Sequence, residues 1–158
     1  AFAACHLWPR AYVTASDIDP ESIAVTVDNA AANAVPLGQH PGKVALCVAA
    51  GTDHEMIDRR APYDLVIANI LAGPLIALAP ALARVTQDGG TLLLAGLLNT
   101  QAETVTAAYR TQGFRLAERR DTGDWPVLRF VKRARAGWRR PVRIRDRQGR
   151  PPDGFGAW

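Results

Sequence analysis

Through the first 132 residues, short apolar runs alternate with stretches in which apolar side chains recur every three or four positions. The pattern predicts a short helix over 1–8 and a strand over 11–16. Asp19-Pro20-Glu21 then opens a helix on which Ile23, Val27, Ala30, Ala31 and Ala34 share one face, and Pro36, Gly38, Pro41 and Gly42 end it. Residues 43–49 (KVALCVA) read as a compact apolar strand, and 53–60 as a short helix. Residues 63–70 (YDLVIANI) are the strongest strand signal: Leu65, Val66, Ile67 and Ala68 are continuously apolar, as expected of a strand covered by helices on both faces. A helix over 74–85, a turn at Asp88-Gly89-Gly90, a buried strand over 91–97 (TLLLAGL) and a helix over 101–111 follow. Two strands, 114–120 and 127–132, end the run.

Alternating strands and helices with short connections imply an α/β fold with a mostly parallel sheet and helices on both faces. The last two strands are separated by Asp121-Thr122-Gly123-Asp124 and no helix, so they should form an antiparallel hairpin. A parallel sheet that ends in such a hairpin is the Rossmann-like variant of class I methyltransferases, whereas dinucleotide-dependent dehydrogenases usually lack it. Beyond Lys132 the chain turns rich in Arg, Gly and Pro, which divides it into a domain over 1–133 and a basic tail over 134–158 with little to bury.

Charge sharpens that boundary. Residues 1–128 carry 9 basic and 13 acidic side chains, a net charge of −4, and residues 129–158 carry 10 and 2, a net charge of +8. The overall +4 therefore belongs to the tail, which could contact rRNA electrostatically with Trp138 available for stacking, or be an incidental charged extension. No apolar run is long enough to cross a bilayer. The first eight residues lack a basic leader and a cleavage-site pattern, and read as a helix. The chain opens on Ala, as a fragment or a processed chain would. Cys5 and Cys47 form no C-x-x-C pair and read as buried reduced thiols of a cytoplasmic protein; His6, His40 and His54 have no metal-ligand spacing, so no metal is expected.

Three places carry candidate chemistry. Ser16-Asp17-Ile18-Asp19-Pro20 lies at the carboxyl end of a strand, where open α/β sheets bind ligands. Asp19, ahead of Pro20 and Glu21, reads as a helix N-cap; Asp17 is not needed for the cap and reads as an acceptor for ribose hydroxyls. Asn69, after the most apolar strand, could accept a hydrogen bond from an amine and donate one to a carboxylate, which suits a displacement reaction that depends on alignment. Asn69-Ile70-Leu71-Ala72-Gly73-Pro74 is equally well read as a plain turn into a helix. Gly51-Thr52-Asp53-His54 could border an adenine edge, or Thr52 or Asp53 could simply cap a helix.

Residues 15–35 (ASDIDPESIAVTVDNAAANAV), 61–83 (APYDLVIANILAGPLIALAPALA), 88–114 (DGGTLLLAGLLNTQAETVTAAYRTQGF) and the late Trp125 together resemble the family that methylates large-subunit ribosomal protein eleven (PrmA). The resemblance runs through about residues 1–133 in order. Ile70-Leu71 after Asn69 separates this chain from amino-methyltransferases that carry Pro-Pro and an aromatic residue there. It implies methyl transfer from S-adenosylmethionine to lysine side chains and the terminal amine of that ribosomal protein, with cofactor contacts at Asp17 and Asn69 and Asn69 also catalytic. It further implies that a first, central strand and a G-x-G-x-G loop would lie just ahead of Ala1, and an N-terminal recognition domain before them. On that reading the chain is a fragment, residues 1–8 are the helix after the loop, and the strands at 11–16 and 63–70 lack a shared ladder partner. Weak S-adenosylmethionine binding and marginal stability would follow. The readings that compete are a class I methyltransferase with another acceptor, a nicotinamide-dependent oxidoreductase, and a non-catalytic RNA-binding relic.

Overall fold

Six strands form where the apolar runs lie, in two sheets rather than one. In the computed structural model, which describes residues 1–134, β1 (Val13–Asp17) pairs in parallel with β2 (Val44–Val48). A separate four-stranded sheet has the order β3 (Tyr63–Asn69), β4 (Thr86–Ala95), β6 (Trp125–Lys132) and β5 (Phe114–Thr122). β3 and β4 are parallel, while β6 runs antiparallel to both β4 and β5. The expected mostly parallel sheet with a carboxyl-terminal hairpin is thus present. Among the described residues, β1 and β3 each keep one unpaired edge, at the place where the resemblance puts a further strand. The expected basic tail, with Trp138, lies outside the described residues except at residue 134.

The helices follow their capping chemistry. Phe2–Leu7 forms α1 and Pro20–Ala32 forms α2, whose N-cap Asp19 accepts hydrogen bonds from the backbone N–H of Glu21 and Ser22. The buried stripe of α2 is narrower than expected: Ala30 is buried and Ile23 half-buried, but Val27 is 42% exposed. A helix that crosses only a two-stranded ladder has little sheet to cover it. α3 (Glu55–Arg60) starts later than the sequence suggests, and His54 is its N-cap: Nδ1 accepts from the N–H of Met56 at 3.1 Å. Neither Thr52 nor Asp53 caps it; Thr52 is buried and accepts a 3.5 Å hydrogen bond from Arg84.

The single helix expected over 74–85 is two helices, α4 (Ala72–Ala77) and α5 (Ala79–Val85). Pro80 has no N–H to offer the preceding turn, so α5 restarts with proline in its first turn. The turn expected at 88–90 lies inside β4. Tyr63 pairs with Thr86 but Leu65 pairs with Thr91, so the intervening residues bulge out of the ladder with Gly89 at φ +81°. A 3-10 turn, Asn99–Gln101, leads into α6 (Ala102–Thr111).

The main core lies between α4, α5, α6 and the four-stranded sheet. α6 buries Ala102, Val105, Thr106 and Tyr109, a spacing of i, i+3, i+4 and i+7. Tyr109 meets Phe114 edge-on at 5.8 Å and Phe130 at 5.5 Å between ring centroids, and its hydroxyl donates to the Leu75 carbonyl at 2.9 Å. Lys132 ties the far end of β6 down by donating to the carbonyls of Ala83 and Thr86. β3 departs from its expected burial. Val66 and Ala68 pack on this core, but Ile67 on the opposite face is 56% exposed, because one edge and one face of the strand are uncovered.

Candidate functional site

The carboxyl ends of β1, β2, β3 and β4 carry Asp17, Val48, Asn69 and Ala95, and the chain continues from them into loops. These ends are unusually apolar and open. Ile18, Val48, Ile70, Leu71 and Leu98 are all at least 38% exposed. Such side chains scattered singly would be ordinary; gathered on strand ends, they make an apolar rim around two polar groups.

Asp17 is the last residue of β1 rather than a loop residue beyond it, and it is exposed. Its Oδ1 accepts from the backbone N–H of Asp19 at 3.0 Å, and its carbonyl accepts from the N–H of Ala49. The first bond sets the angle of the side chain and leaves its other oxygen directed away from that bond. Asp19 does different work: the Glu21 N–H, then the Ser22 hydroxyl and N–H, hold its carboxyl below the usual carboxylate range. Asp19 is therefore the N-cap that the sequence predicts.

Asn69 ends β3 opposite Ala95, and its exposed side chain makes no hydrogen bond among the described residues. The loop after β4 passes directly over it. Gly96 has φ +83°, and a Cβ built there would stand 2.7 Å from the carbonyl oxygen of Ile70, 2.9 Å from its nitrogen and 3.0 Å from Asn69 Oδ1. Only glycine permits that approach. Gly96 was not singled out from the sequence, although a glycine closing an apolar strand was the available signal.

Asp17 and Asn69 each end a parallel strand, but in separate sheets, and no hydrogen bond joins them. Gly51-Thr52-Asp53-His54 supplies the cap of α3 through His54 and a buried threonine bonded to Arg84. Two clefts of about 280 and 300 Å³ lie elsewhere, one bordered by Val27, Leu37 and Met56, the other by Phe2, His6 and Pro36; neither includes Asp17 or Asn69. The candidate site is an open face. No cluster of metal-ligating side chains occurs among the described residues, and no helix there is long and apolar enough to cross a membrane.

An exposed carboxylate at one strand end, an exposed amide at another, and a glycine that lets backbone approach closely could hold a polar ligand. Residues 1–133 match the family model for ribosomal protein L11 methyltransferase (PrmA). A protein named ribosomal protein L11 methyltransferase from Chelativorans sp. (strain BNC1) is 42% identical over 120 residues, which are 76% of this chain and 40% of that protein. One of the same name from Brucella suis (strain ATCC 23445 / NCTC 10510) is 42% identical over 101 residues, 64% of this chain and 34% of its own length. The chain thus spans well under half the length of these relatives. A solved ribosomal protein L11 methylase from Lactobacillus delbrueckii subsp. bulgaricus superposes with a TM-score of 0.64 at 27% identity, covering 77% of this chain and 58% of that one. A precorrin-6y C5,15-methyltransferase from Geobacter metallireducens GS-15 superposes at 0.65 with 15% identity, covering 84% and 72%, a likeness of fold alone.

Proposed function

Because the chain belongs to the ribosomal protein L11 methyltransferase (PrmA) family, we propose that it supplies catalytic-domain residues for methyl transfer from S-adenosylmethionine to amino groups of ribosomal protein L11. The acceptors are lysine side chains and the terminal amine, and residues 1–133 make up the methyltransferase domain. The observation that carries this reading is the exposed, unpartnered amide of Asn69 at the end of β3, with the Gly96 backbone against it.

S-adenosylmethionine, when bound, supplies a methyl group on a cationic sulfur that a nitrogen lone pair can displace. The residues of this chain position the partners. Asp17 would accept from ribose hydroxyls. Asn69 would donate from its NH2 to the donor's carboxylate, and its carbonyl oxygen would accept an N–H of the incoming amine and so orient it. Transfer requires the neutral amine, whose nitrogen carries the attacking lone pair.

The test measures binding and methyl incorporation by the gene product that carries this chain. Asn69→Ala should lower kcat by about a hundredfold through lost alignment and hydrogen bonding. Asp17→Ala should weaken S-adenosylmethionine binding about tenfold and leave kcat at saturation little changed. Incorporation into ribosomal protein L11, but not into free lysine or RNA, is expected. Incorporation into RNA or a small molecule instead would assign a different acceptor, and an Asn69→Ala enzyme of undiminished rate would remove Asn69 from the mechanism.

A further inference from the structure

The hairpin tip is fastened to the loop after β4 through one residue, Asn99, by its backbone N–H and its side chain. The register Leu94↔Leu128 brings the β5–β6 tip to the carboxyl end of β4. There the N–H of Asn99 donates to the Asp124 carbonyl at 2.9 Å, and Asn99 Nδ2 donates to the Gly123 carbonyl at 2.8 Å. Arg119 Nη2 donates to Asn99 Oδ1 at 3.1 Å, and Arg119 Nε is held by Asp121 at 2.7 Å. Both polar atoms of the Asn99 side chain are therefore spent on the tip. The same loop begins at Gly96, against Asn69, and is anchored between by Leu97, which is fully buried. A short, rigid path thus joins Asn69 to the tip, and Trp125, 54% exposed, emerges beside it.

Position along the sheet assigns the tip a side. β4, β6 and the hairpin tip lie on one side of β3, and the other edge of β3 is unpaired among the described residues. With the donor on the unpaired-edge side of Asn69, the tip side is left for the amine. Resting on the proposed function, we infer that Asn99 is a positioning residue for the acceptor: it fixes the hairpin tip relative to Asn69 and so presents the amine-bearing polypeptide to the methyl group. It does not touch the reacting atoms.

The experiment is steady-state methylation of ribosomal protein L11 by the gene product that carries this chain, together with S-adenosylmethionine binding by calorimetry, for wild type, Asn99→Ala, Asn99→Asp and Arg119→Ala. For Asn99→Ala, KM for the protein acceptor should rise about tenfold, while kcat and S-adenosylmethionine affinity stay within about twofold of wild type. Asn99→Asp keeps the Arg119 bond and loses the one to Gly123, so it should fall between. Should Asn99→Ala fail to fold, Arg119→Ala removes the other arm of the fastening and should raise the acceptor KM alone. Unchanged acceptor KM in the variants, or a parallel loss of donor affinity, overturns the inference and leaves the proposed function standing. A wild type that neither binds S-adenosylmethionine nor methylates the ribosomal protein overturns the proposed function, and the inference with it.

Discussion

Gly96→Ala tests whether close backbone approach shapes the candidate site. Two costs arise. At φ +83° any L side chain is strained, by about 1–2 kcal/mol. The new methyl would also stand 2.7 Å from the Ile70 carbonyl oxygen and 2.9 Å from its nitrogen, backbone atoms that cannot rotate away. Overpacking of that kind costs about 1–3 kcal/mol. Gly113 separates the terms: its φ is +85°, yet a Cβ there meets nothing within 4 Å, so Gly113→Ala carries the dihedral cost alone. Gly96→Ala should then be about 2 kcal/mol less stable than Gly113→Ala in urea unfolding, and roughly 6–10 °C lower in Tm. It should also displace Asn69, so S-adenosylmethionine binding should weaken in Gly96→Ala and hold in Gly113→Ala. Equal stability of the two variants would mean that the loop yields freely, and the close approach could not be what fixes Asn69.

Tyr109→Phe removes a buried hydroxyl from the Leu75 carbonyl and should cost about 1 kcal/mol at neutral pH. Burial also holds the Tyr109 phenol well above its ordinary value of 10.0. The folded state therefore keeps a proton that the unfolded state releases above pH 10. Stability is full below that pH and falls by about 1.4 kcal/mol per unit as pH rises above it. Urea midpoints measured from pH 8 to 11 should show a shallower decline in Tyr109→Phe, and an identical slope would refute the assignment. Asp19 behaves oppositely: its lowered value makes its contribution present above the ordinary 3.8 and lost as pH falls through the folded value. Asp19→Asn keeps a capping side chain without the titration, so its acid-unfolding curve should lose that component while its helix content by circular dichroism is retained.

The alternation of strands and helices was legible because each apolar run is short and closed by Gly, Pro or an acidic cap. Asp19 could be told from Asp17 for the same reason, since Pro20 marks where the helix begins. Long-range context defeated the rest. The run Leu65–Ala68 was read as covered on both faces, but composition cannot reveal that Ile67 faces open space. Pro80 was a legible break overlooked within a periodic stretch. His54 took the cap from Thr52 and Asp53 because an imidazole nitrogen can do the work of a carboxylate oxygen. Asn99 had no signal at all, since its importance comes from Gly123 and Arg119, which are adjacent only after the hairpin docks.

The break between β1 and β3 also divides the molecule's cooperativity. Amide protons in β4, β5, β6 and α6 sit in a continuous ladder over an aromatic core, so they exchange only through large openings. β1 and β2 share a single ladder, braced by Arg60 donating to the Val13 carbonyl, to Thr14 and to the Gln39 carbonyl, and by two clusters, one of Cys47, Ala49, Ile57 and Val85 and one of Cys5, Val13 and Val44 with their partly buried neighbours. Their openings release far less buried surface. Asp17 thus belongs to the smaller ladder, and Asn69 to the sheet that carries the aromatic core. Any ligand that spans both side chains would draw its ordering cost from the first and its rigidity from the second.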